Sequence, residues 1–150
     1  MSKLGYYIRR FRVNRGFTVH SPFAFRFIKL VVRERLPFYA FQNITDPYER
    51  LLYRTAVYFH PASISASGPG APRALEILRK ALPDAELTSP DRSEFHFGDS
   101  PLPGPAIQFL QGRHSLPALT TFNLPRATIA ISRPGLPPAP YPLSPPRLAP

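Results

Sequence analysis

"ASISASGPGAPRALEILRKAL", residues Ala62 to Leu82, joins three unlike pieces. The run "ASISAS" reads as a short strand of small residues, "GPGAP" as a turn, and "RALEILRKAL", Arg73 to Leu82, as a helix with apolar residues at helical spacing. Strand, glycine turn and helix in that order form the first half of a nucleotide-binding βαβ unit. Glycine after a strand lets the backbone approach a ligand, and the following helix offers free amides to an anion or carboxylate. A purely structural turn would use the same residues, so the stretch indicates a fold class before it indicates a function.

Upstream, the chain reads as helical. A basic segment around Leu4 to Val13 has Tyr6, Tyr7 and Phe11 as its apolar side. Ser21 followed by Pro22 is an N-cap and first-turn pair, and Phe23, Phe27, Leu30 and Val31 then recur on one face of a helix expected to end near Leu36, before Pro37. His20, among aromatics at that helix start, reads as structural rather than catalytic. A third helix begins at Asp46, with Pro47 and Glu49 in a capping-box pattern. It runs to about Phe59, burying Leu51, Leu52, Ala56 and Phe59 before Pro61.

Downstream, "AELTS", Ala85 to Ser89, is a second strand and "EFHF", Glu94 to Phe97, a third. Only the four residues Pro90 to Ser93 separate them, too few for a parallel crossover, so they are expected to pair as a hairpin. Ala106 to Gln111 reads as a short helix and "ATIAIS", Ala127 to Ser132, as the last strand. Of the 21 prolines, 8 lie within Pro134 to Pro150, which reads as an extended polyproline-like tail. The expected class is therefore α/β: a helical cap over 1–60, a partial Rossmann-like domain over 61–132 and a proline-rich tail over 133–150.

Composition excludes several chemistries. Without cysteine there is no disulfide, thiol catalysis or thiolate metal site. The histidines at 20, 60, 96 and 114 share no short metal-ligand spacing, so no metal is expected. Neither a Gly-x-Ser-x-Gly elbow nor a Gly-Lys-Ser/Thr phosphate loop occurs, and "PLSPPR" matches a Pro-x-x-Pro-x-Arg ligand only as often as so proline-rich a tail would by chance. Seven Lys or Arg in the first 30 residues do not fit a signal peptide, and no run approaches the roughly 18–20 apolar residues of a membrane span. A cytoplasmic protein with no membrane partner is the expectation. Residues 1–60 carry eleven Lys or Arg against three acids, +8, while 61–150 carry eight against six, +2. The basic half reads first as a solvated helix surface. Nucleic-acid binding through Arg9, Arg10, Arg12 and Arg15, interleaved with aromatics, is the less favoured alternative.

Taken in order, "VHSPFAFRFI", "FYAF", "PYERLLYRTAVYFHPASI", the glycine turn and "ALEILRKALPDAEL" resemble a Bacteroidetes-type class I S-adenosylmethionine-dependent methyltransferase group. In that group a His-Ser-Pro-Phe segment precedes a Rossmann-like domain. The resemblance covers roughly residues 5–91. It implies N-terminal helices packed beside the domain, S-adenosylmethionine as cofactor, and Gly68 and Gly70 lining it. By the same resemblance Asp91 would hold the ribose, and Asp99, in "FGDS", would lie near the adenine. Where the group ends its first strand with Glu or Asp, this chain has Ala66, and its second crossover helix is missing. The expected function is thus a shortened, divergent methyltransferase-like protein, weakly active or inactive, with no assignable methyl acceptor or catalytic base. The alternative is a non-catalytic relic or interaction module. Dimerisation through an unpaired sheet edge is a further expectation.

Overall fold

The computed structural model describes residues 21–34 and 38–146. The expected first helix, Leu4 to Val13, and His20 lie outside them. Ser21 Oγ accepts the Ala24 amide at 3.3 Å and opens α1, Pro22–Phe27. The chain then widens into a π-helical turn, Ile28–Val32, closed by the Arg33 amide donating to the Ile28 carbonyl at 2.9 Å. The buried set is Ala24, Phe27, Ile28, Val31 and Val32, an i, i+3, i+4, i+7, i+8 stripe. Leu30, expected to be buried, is 49% exposed.

A 3₁₀ turn, Tyr39–Asn43, leads to α2, Pro47–Phe59. Asp46 caps α2 by accepting from the amides of Tyr48 at 2.8 Å and Glu49 at 3.2 Å. Glu49 pairs with Arg73 at 3.0 Å. Leu51, Leu52 and Ala56 are buried as expected, and His60 ends the helix in the left-handed region, φ 48°. Arg54 is buried as well. Its Nε donates to the Val31 carbonyl at 2.8 Å, and burial pulls its guanidinium down to about 10.

Strand β1 (Ser63–Ala66), helix α3 (Ala71–Ala81) and strand β2 (Glu86–Leu87) form the expected half unit, with β2 parallel to β1. Four further strands follow before the last: β3 (Phe95–Gly98), β4 (Ile107–Gln111), β5 (Thr120–Leu124) and β6 (Ala127–Ile131). The last is β7 (Pro140–Pro142), and the order across the sheet is β2-β1-β3-β4-β6-β5-β7. Only β6 runs antiparallel to its neighbours.

Four sequence expectations are corrected. Strands β2 and β3 do not form a hairpin but flank β1 on opposite sides, both parallel to it. The connection can be short because Leu87 and Phe95 both align with Ile64, so residues 88–94 cross sideways with no length of strand to retrace. Residues 107–111 are a strand, not a helix, held between β3 and β6, with Ile107 and Phe109 on the helix side and Gln108 on the loop side. Strand β6 is not the last; it runs antiparallel to β4 and β5, and a two-residue turn, Pro125–Arg126, joins it to β5. The proline-rich stretch joins the sheet, with Tyr141 stacked on Phe122 at 5.4 Å and Leu143 wholly buried.

Alternation along the strands gives the sheet two different faces. Ile64, Phe95, Phe97, Ile107, Phe109, Phe122, Ile129 and Ile131 share one apolar core with α1, α2 and α3. Phe27 reaches that core and meets Phe122 at 4.5 Å. The residues between them, including Ser65, His96, Gln108, Thr121 and Thr128, are buried and polar. Loops satisfy them: Gln108 exchanges two hydrogen bonds with the Leu102 backbone, and Thr128 bonds Gly112 and His114. One face carries helices and the other carries loops.

Candidate functional site

The chain leaves β1 for β2 on one side and returns to β3 on the other. Open α/β sheets bind ligands at such a reversal, outside the carboxyl ends of the strands. Here that rim is formed by Ser67 and Gly68 after β1 and by Asp99 after β3. Gly68 has φ +86°, and a Cβ there would stand 3.1–3.2 Å from the Asp99 carboxyl atoms. The missing side chain therefore lets a carboxylate lie against the turn. Gly70 plays the same part for the Gln111 amide, whose atoms would be 3.0–3.3 Å from a Cβ.

Gly68, Gly70 and Asp99 thus meet at one rim, as the sequence reading grouped them. Asp91 does not join them. It sits in the turn closed by the Arg92 amide on the Ser89 carbonyl at 3.0 Å, ahead of β3 and so near that strand's amino end. Its backbone lies beside Gly104, and a hydrogen bond from Ser89 holds its carboxyl below the usual range. Ala66, where the resembled group carries an acid, packs against the apolar core.

Beneath the rim, on the helix side, lies a cavity of about 230 Å³. Leu52, Ile77, Phe97 and Phe109 line it together with Asp46, Glu49, Arg73, Gln111 and Arg126. Arg73 is neutralised by Glu49 at 3.0 Å and Glu76 at 3.1 Å, and Arg126 lies 5.2 Å from the centre of the Tyr48 ring. Compared with family models, curated proteins and solved structures, the chain matches none.

On the loop side of the same rim is a cluster that sequence reasoning missed. His96 is completely buried; its Nδ1 stands 2.7 Å from Ser65 Oγ and its Nε2 3.2 Å from Ser67 Oγ. Ser65 Oγ is also 2.7 Å from Ser93 Oγ, and Ser93 donates to the Pro90 carbonyl at 3.0 Å. Burial pulls the His96 imidazole below its ordinary value, with Asp99 opposing the shift. The signal was present in the chain. In "EFHF" the histidine lies between two core phenylalanines and must face away from them, as Ser65 does between Ile64 and Ala66.

Among the described residues, no helix is long and apolar enough to cross a membrane.

Proposed function

We propose that the rim where β1 and β3 end is a reduced S-adenosylmethionine site, and that the protein is a methyltransferase-like chain of weak or no activity. The observation that carries this reading is the Asp99 carboxylate lying 3.1–3.2 Å from the vacant Cβ position of Gly68. The resembled group places an acid at the end of its first strand for the cationic end of the cofactor. Asp99, which the resemblance puts near the adenine, brings a carboxylate to the same rim from β3, and with alanine at position 66 it is the acid on hand for the cationic end instead.

Two features argue for weakness. Asp91 is away from the rim, which leaves no acid assigned to the ribose hydroxyls. The cavity of about 230 Å³ borders the rim at Gly70, is not lined by Gly68 or Asp99, and is below the ~300–1,000 Å³ typical of small-molecule sites.

Calorimetric titration with S-adenosylmethionine and S-adenosylhomocysteine tests the proposal. Binding in the upper micromolar to millimolar range is expected, and Asp99→Asn should weaken it about ten- to hundredfold, the worth of one charge-assisted hydrogen bond. No heat at millimolar ligand would overturn the proposal. The second reading, a non-catalytic interaction module, would then stand; the seven-residue crossover 88–94 and the alanine at position 66 favour it.

A further inference from the structure

The hydrogen bonds around His96 have a direction that can be worked out from proton counting. The Pro90 carbonyl only accepts, so Ser93 uses its one hydroxyl proton there, at 3.0 Å. Ser93 Oγ must then accept from Ser65 at 2.7 Å, and Ser65, its own proton so placed, must accept from His96 Nδ1 at 2.7 Å. A neutral ring that carries its proton on Nδ1 has a lone pair on Nε2. Ser67 Oγ, 3.2 Å away, is left to donate into that lone pair. Gly98 keeps the path clear: a Cβ there would stand 2.7 Å from Nε2 and 3.0 Å from Ser67 Oγ. Ser67 itself is half-buried at the rim, next to Gly68, while the ring behind it is sealed from water.

We propose that Ser67 is an activated nucleophile with His96 as its base, and that the rim accepts small neutral esters. A hydroxyl becomes a useful nucleophile when a base is hydrogen-bonded to it and a third group fixes that base, which is the arrangement Ser67, His96 and Ser65 make. Ser67 Oγ forms a bond to the ester carbonyl carbon as its proton moves to Nε2. The alcohol oxygen then leaves with that proton. Water attacks the acyl-serine in the same way and releases the acid. Asp99, at the same rim, disfavours anionic esters. Ser65 and Ser93 are positioning residues, since they act through the ring.

The test uses the whole 150-residue chain and a fluorophosphonate probe, in which the Ser67 Oγ–P bond forms, the P–F bond breaks and fluoride leaves as His96 takes the proton. Peptide mapping should place the adduct on Ser67 ahead of every other serine. Labelling should vanish at that position in Ser67→Ala and slow about a hundredfold in His96→Gln. Because His96→Gln empties a buried site and can unfold the chain, Ser65→Ala is the second variant. It leaves ring and nucleophile in place but removes the acceptor for Nδ1–H, so labelling should slow and its pH profile should move relative to wild type. Wild-type protein labelled at Ser67 no faster than at its other serines overturns the proposal. Equal labelling and an unmoved pH profile in Ser65→Ala also overturn it. Failure of the cofactor titration leaves these outcomes untouched, since none of them requires the cofactor.

Discussion

His96 is sealed inside the protein with both ring nitrogens in hydrogen bonds, so protonating it opposes folding. The sign follows from its folded value lying below the ordinary 6.5. As pH falls through 6.5, the unfolded chain takes up a proton that the folded chain does not, and stability drops until the folded value is reached. Thermal melts between about pH 8 and pH 5 should therefore show a loss on the acid side that is shallower in His96→Gln. Leu143 is also wholly buried, and Leu143→Ala should cost about 2–5 kcal/mol in urea unfolding. Asp46→Ala should cost about 1 kcal/mol by the same measurement, since it removes a cap on two amides. Caps of this kind were legible because a cap needs only the next few residues of its own chain. The His96 cluster was not, because Ser65 and His96 lie 31 positions apart and only the pairing of β1 with β3 brings them together.

Helices α2 and α3 were legible from periodicity and terminal residues, and β1 from the turn that follows it. Strand β4 was not, because six residues such as "AIQFLQ" fit either period and their strand character comes from burial between β3 and β6. The β5–β6 hairpin escaped notice because Pro125–Arg126 lacks the Asn-Gly or Gly-rich signature of common two-residue turns. The π-helical turn after α1 had no sequence signal at all. Phe27, the last residue of α1, lies 4.5 Å from Phe122 and 5.6 Å from Phe59. Phe27→Ala should cost about 3–5 kcal/mol, measured by denaturant titration, whereas Leu30→Ala on the exposed side should cost under about 0.5 kcal/mol.

Helices and sheet share one core, so neither half of the chain is expected to fold without the other. A fragment spanning residues 46–150 should show no cooperative thermal transition, because it lacks Phe27, Ile28 and Val31. Removal of residues 134–150 should lower the melting temperature by many degrees, the reverse of what their composition suggests, since Tyr141 and Leu143 close the core beside β5. Proline content pointed to an unpacked tail because it reports lost amide donors and says nothing of where the lost donors would have pointed. In β7 the answer is visible. The Ala139 carbonyl and the Leu143 amide bond to β5, and alternation turns Pro140 and Pro142 away from it. The outward edge of β7 therefore offers no N–H at either position. The two prolines act as a chain terminator for the sheet: an eighth strand would meet acceptor carbonyls at that margin but no donors, and could build only half of a ladder. Among the described residues the opposite margin, β2, carries no proline, so a further strand adds there with less hindrance than at β7.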